Sequence, residues 1–178
     1  VRGQTPVRRE MWHSAAMDMS DWDARVAAWY EAGFDESRPE ESVAGMRDLL
    51  AGHPEAGPLA TFELAGVYDS LGLETDAVPL YKQALAEGLD DTHATRARIQ
   101  LASTLRNLGE TDEALALLSV PSDSGYDAAR RAFLALALHS AGRHDEALRQ
   151  VLEALIPTLP RYHRSLTGYA AELTETEN

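Results

Sequence analysis

Arg96 and Arg106, ten residues apart, are the first residues in this chain whose types and spacing suggest chemistry. On one helix ten residues make nearly three turns, so both side chains can share a side with Ser103 between them. With a formal net charge of −13 on the chain, two such arginines would form a local reversal of field that guides an acidic segment in. The opposing reading is that nearby carboxylates neutralise both, leaving surface ion pairs worth about 0 to 1 kcal/mol each.

Other candidates are weaker. His139 and His144 are five apart across a helix break, the wrong offset for two metal ligands on one helical face. Asp18, Asp21 and Asp23 lack the ordered ligand series and central glycine of a calcium loop, and read as helix-capping residues. Ser122, Asp123 and Ser124 read as turn chemistry, not as a nucleophile with its base. The chain contains no phosphate-binding glycine loop, dinucleotide fingerprint or nucleophile elbow. It contains no cysteine, which excludes disulfides, thiol catalysis and thiolate metal sites. The expectation is a non-enzyme with no metal and no cofactor.

Length and charge narrow the class further. The 178 residues fit one domain, and no stretch approaches the roughly 18 unbroken apolar residues of a membrane span. An acidic surface disfavours nucleic acid or anionic lipid as the main partner. Residues 1–19 carry charge but no apolar run of the length a secretory signal needs, so the chain reads as soluble and cytoplasmic, with this segment a disordered arm.

The elements that must position these residues are amphipathic helices in pairs. Phe62, Leu64, Ala65, Tyr68 and Leu71 recur at helical spacing, and Gly72 follows where helices commonly end. Thr75 and Asp76 are expected to cap the next helix, with Pro79 in its first turn and Ala77, Val78, Leu80, Tyr81, Ala84 and Leu85 on its apolar face. Such short helices cannot stand alone, and stacking similar pairs is the remedy. Ala77, Ala114 and Ala147 come into register at spacings of 37 and 33 residues; Gly72, Gly109 and Gly142 each lie five residues earlier, and Ala65, Ala102 and Ala135 twelve earlier. Small residues at these points suit the close crossing of two helices.

An aromatic helix precedes the repeats, capped by Ser20 or Asp21 and carrying Trp22, Val26, Trp29, Tyr30 and Phe34 on one face. That face packs on the next pair or, alternatively, forms a homodimer surface through Trp22 and Trp29. Its partner helix runs near Pro39 to Ala51, making a degenerate pair over residues 20–54. Repeats are expected at about 58–91, 95–126 and 128–159, followed by a helix over 161–173 that covers the open end and a polar tail over 174–178.

With these residues in register the chain resembles the tetratricopeptide repeat family. Leu64, Ala65, Tyr68, Ala77, Tyr81 and Ala84 match its motif, as do Leu101, Ala102, Leu105, Ala114 and Leu118, then Leu134, Ala135, Leu138, Ala147, Val151 and Ala154. Thr61 stands at the tryptophan position, Leu89 at the proline position, and Pro121 at a small-residue position. The phrases FELAGVYDSLG, VPLYKQALAEGLD and IQLASTLRNLG further resemble small bacterial group 5 tetratricopeptide repeat proteins.

The resemblance implies an all-α right-handed solenoid whose first helices line a concave groove for a protein or peptide segment. The groove face is expected to carry Leu59, Phe62, Gly66 and Asp69, then Arg96, Ile99, Ser103, Arg106 and Asn107, then Ala129, Ala132, Leu136 and His139. A non-catalytic interaction module leads; a ligand-sensing regulatory domain acting on a separate partner follows, and an enzyme of unrecognised type comes third. A closed cavity lined by Arg96, Arg106 and His139 would favour sensing, and an open groove would favour a peptide.

Overall fold

The computed structural model describes residues 19–122 and 125–175. Nine α-helices follow one another among the described residues, with no strand: α1 Met19–Gly33, α2 Pro39–Ala51, α3 Pro58–Ser70, α4 Glu74–Glu87, α5 Asp91–Asn107, α6 Thr111–Leu118, α7 Asp127–Ser140, α8 His144–Leu155 and α9 His163–Glu172. Short 3-10 turns at Pro54–Ala56 and Ile156–Thr158 join α2 to α3 and extend α8. No helix among the described residues is long and apolar enough to cross a membrane.

Pairing follows the sequence register. α3 packs on α4, α5 on α6 and α7 on α8, while α3 with α5 and α5 with α7 carry the stack from pair to pair. Ala65, Ala77, Ala102, Ala114, Ala135 and Ala147 are all buried, where a larger side chain would hold the helices apart. Gly109 ends α5 at φ +86, a backbone region costly for any residue with a Cβ. Its amide donates to the Arg106 carbonyl and the Glu110 amide to the Leu105 carbonyl, satisfying two groups the helix end leaves open. The same two bonds recur after Gly72 and Gly142, so one turn geometry joins every full pair.

Starts are less regular than stops. Thr75 and Asp76 lie inside α4, whose cap residue is Leu73 and supplies no side-chain bond; Ser20 and Asp21 likewise lie inside α1. Asp90 does cap α5, accepting the Thr92 and His93 amides at 3.0 and 3.1 Å. Pro79 falls in the second turn of α4, one turn later than expected, on its exposed side. Buried Ser42 donates to the Asp35 carbonyl and accepts the Asp35 amide, which fastens the turn between α1 and α2.

Two apolar clusters result. Trp22, Val26, Met46, Ala56, Leu59 and Val67 form the first, with Trp29, Tyr30 and Phe34 against it. The second, richer in alanine, runs from Phe62 and Tyr81 through Leu101, Leu105 and Leu118 to Leu134 and Leu138. Trp22 is fully buried, so it supplies no homodimer surface; its ring meets His53 edge-on at 5.7 Å. At the other end α9 starts at His163, behind a left-handed Tyr162, and buries Ala170. It covers less than expected, because Leu148, Val151 and Leu155 remain 48%, 43% and 45% exposed. The arm expected over 1–19 lies outside the described residues except for Met19, as do residues 176–178 of the tail.

Candidate functional site

The first helices of successive pairs, α1, α3 and α5, enclose a half-open cleft of about 420 Å³. From α1 come Asp23, Val26, Ala27 and Tyr30, from α3 Glu63, Gly66, Asp69 and Ser70, and from α5 Arg96 and Gln100. Tyr81 of α4 and Tyr126, just before α7, complete the wall. Residues 23, 26, 27 and 30 fall within two turns of α1, as 63, 66, 69 and 70 do on α3, so ordinary helical spacing aims each set one way.

Its centre is Glu63, a carboxylate only 4% exposed, whose Oε1 has no hydrogen-bond partner. Burial pushes its pKa up to about 7, against the opposing pull of Arg96 and His93 and with a small further push from Asp23. Gln100 adds a second buried, unpartnered acceptor, Oε1. Asp69 is better provided: Thr104 donates to Oδ1 at 2.8 Å and Tyr81 to Oδ2 at 3.4 Å. Burial raises the Asp69 pKa, and these two bonds oppose the rise. Burial, with the charge of Glu63 next, also lifts the Tyr30 phenol to about 12, so it stays protonated at neutral pH.

Gly66 makes room for this arrangement. A Cβ there would lie 3.1 Å from the Tyr30 hydroxyl, closer than carbon and oxygen normally pack, so the α1 ring reaches the α3 backbone only because residue 66 has no side chain. An ionic clip holds α1 in place. His93, 3% exposed, has Nδ1 2.6 Å from Asp90 Oδ2 and Nε2 3.3 Å from Asp23 Oδ1, while Arg96 Nη1 lies 3.5 Å from the same Asp23 oxygen. Asp23 therefore braces two helices, a role different from the local capping expected of it.

The residues expected to face a groove divide three ways. Gly66, Asp69 and Arg96 do line the cleft. Leu59, Phe62 and Ile99 are core residues, 8%, 1% and 6% exposed, and cannot offer a partner apolar contact. Phe62 lies beneath Arg96, whose guanidinium carbon is 5.2 Å from the ring centroid, and against Tyr81 and His93. The remainder lie further along the stack. Ser103 and Ala129 are half-buried, Ala132 and Leu136 exposed, and Asn107 donates to Glu74 Oε1 at 3.5 Å.

Arg106 donates to Asn107 Oδ1 at 2.9 Å and sits about 15 Å along α5 from Arg96, so the two do not form one anion-binding pair. Nor does Arg96 reverse the local field, since Asp23, Glu63 and Asp69 share its cleft. The acidic occupant loses its physical basis here. His139 meets His144, their rings 4.6 Å apart across the turn from α7 to α8, and of Arg96, Arg106 and His139 only Arg96 lines the cleft. Among the described residues no group of three or more His, Asp or Glu side chains is placed to hold a metal ion. Of the turn Ser122 to Ser124, only Ser122 is described; its hydroxyl is 2.9 Å from Thr95 Oγ1.

Glu63, Gln100, Tyr30 and Tyr126 were absent from the expected groove. One signal was available: Glu63 is the only charged residue from Pro58 to Tyr68, set in a run whose apolar residues must go inward. A second depression, of about 490 Å³, lies between α2 and the turn joining α3 to α4, lined by Val43, Ala44, Tyr68 and Leu73; there Arg47 donates to the Tyr68 hydroxyl at 2.9 Å.

A family model described as Tetratrico peptide repeat matches residues 58–173, from the start of α3 to the end of α9. Comparison with curated proteins finds no match.

Proposed function

The chain belongs to the tetratricopeptide repeat family, whose members are generally non-catalytic scaffolds for other proteins, and from that premise we propose that it holds a segment of a partner protein in the cleft among α1, α3 and α5. One observation carries this reading. Glu63 and Gln100 both line the cleft and each carries a buried side-chain oxygen that nothing in the fold satisfies, and such groups cost about 1 to 3 kcal/mol each unless something else satisfies them. A fold that needed only stability would place apolar side chains there.

Ser70, exposed at the mouth of the cleft, is the point from which to obstruct it. Ser70→Trp fills the opening from an exposed position, giving up only the hydrogen bond between Ser70 and the Tyr30 hydroxyl. Proteins captured by the parent chain from its native cells and lost with this variant, at an unchanged melting temperature, support the proposal. Equal capture by both overturns it.

A further inference from the structure

We propose that the cleft is a receptor for one basic side chain, an arginine guanidinium seated against Glu63, Gln100 and Asp69 with Tyr30 and Tyr126 as aromatic walls. This rests on the reading that the cleft holds a partner segment, and adds what that segment must present.

The inventory of donors and acceptors leads there. Glu63 Oε1 and Gln100 Oε1 accept nothing from the fold, and the Asp69 carboxylate, with two donors, retains lone-pair capacity. An occupant must therefore bring several N–H groups, directed at acceptors on both α3 and α5. It should also bring positive charge, because Arg96 is paired with Asp23, leaving the Asp69 and Glu63 carboxyls of the lining without a cation of their own, and a cation beside Glu63 favours its ionised form. Arg96 is already engaged by Asp23 and the Phe62 ring.

Guanidinium suits this better than ammonium. It carries five donors in a rigid plane, is more weakly hydrated, and stacks on aromatic faces. Tyr126 stands 39% exposed at the entrance, and Tyr30 is half-buried beside Gly66. A neutral amide could satisfy the acceptors but not the charge. Citrulline, the uncharged analogue of arginine, therefore separates the two contributions.

The test titrates the full chain with the capped pentapeptide acetyl-Gly-Ala-Arg-Ala-Gly-amide and follows the backbone amide resonances of Gly66 and Gln100. Counterparts carry citrulline, lysine or glutamate at the centre, and free arginine is titrated alongside. The arginine peptide should shift both amides saturably, with an affinity roughly tenfold above that of the citrulline peptide. Glu63→Gln should abolish that preference while leaving the chain folded, and Tyr126→Ala should weaken the arginine peptide by roughly threefold. Equal binding of arginine and citrulline peptides overturns the charge assignment, and equal binding of lysine overturns the guanidinium. Free arginine bound tenfold tighter than the capped peptide overturns the segment as its source. Saturable shifts with the glutamate peptide alone overturn the basic occupant yet keep the segment reading. If no peptide moves either amide, both fail.

Discussion

At one end of the stack the chain buries what a solvated protein would leave exposed; at the other it exposes what could have been buried. Between α1 and α5, Glu63 and His93 are 4% and 3% exposed, and Tyr30 and Gln100 lie at or below the surface of a cleft. Between α7 and α9, Leu148, Val151 and Leu155 each stand more than 40% exposed, and the charged groups form a bracket, Asp127 with Arg131, Arg131 with Glu153 and Glu153 with Arg149, at 2.7 to 2.9 Å. The full pairs, α3 with α4, α5 with α6 and α7 with α8, share one helix-pair unit and one glycine turn from end to end. The backbone thus does not decide where function lies. What sets the cleft apart is two buried acceptors the fold leaves without partners, Glu63 Oε1 and Gln100 Oε1, whereas the other orphaned atoms among the described residues, Trp22 Nε1 and Arg106 Nε, belong to residues outside its lining.

The largest expected effect tests whether the N-terminal pair is one body with the repeats. Trp22 is fully buried among Val26, Met46, Leu59 and Val67, so Trp22→Ala should cost about 3 to 5 kcal/mol in denaturant unfolding. Tyr162, 73% exposed near the other end, should cost less than about 0.5 kcal/mol on the same change. Equal shifts of the two midpoints would erase the contrast between the ends.

Glu63 sharpens the contrast through pH. Its pKa is raised from 4.5 to about 7, so between these values the native chain binds a proton that the unfolded chain has released. Stability contributed by this group is then complete below about pH 4.5, falls as pH rises, and levels off above about pH 7, a loss of order 3 kcal/mol. Arg96, His93 and Asp23 face the carboxylate and are present in both measurements. Glu63→Gln should therefore stabilise the chain most at pH 8 and have little effect at pH 4. A variant less stable than the parent at pH 8 would mean that the charged carboxylate is repaid within the fold, and the cleft would lose its special standing.

Ala102, buried where α5 meets its neighbours, tests the shared architecture itself. Ala102→Leu overpacks the crossing and should cost about 1 to 3 kcal/mol, read from thermal melts. An unchanged melt would mean that the alanine register is wrong.

That register, the helix pairs and the glycine turns were legible in the sequence because each depends on local chemistry: a small residue at a crossing, a left-handed φ after a helix. Caps were less so, since Thr75 and Asp76 suit a helix start yet the chain enters α4 at Leu73, where backbone bonds from Asp76 and Ala77 serve. The cleft was legible only in part. Phe62 and Ile99 were expected on the groove face, but both lie in the alanine-rich core, Phe62 enclosed by Tyr81, His93 and Arg96 from α4 and α5. Asp23 reaching His93, across 70 residues of sequence, is a tertiary contact that no periodicity announces.

The smallest effect expected compares one residue type at the two ends. Val67 is fully buried in the aromatic cluster and Val151 is 43% exposed on α8. Valine to threonine keeps the shape and exchanges a methyl for a hydroxyl. At residue 67 that hydroxyl has no water, so its desolvation should cost about 1 to 3 kcal/mol unless it bonds back to the Glu63 carbonyl one turn earlier. At residue 151 water satisfies it, and the change should stay within about 0.5 kcal/mol. Parallel chemical melts decide the matter. A Val151→Thr cost as large as that of Val67→Thr would show the α8 stripe to be sequestered in solution, and the two ends would then differ in their polar groups alone.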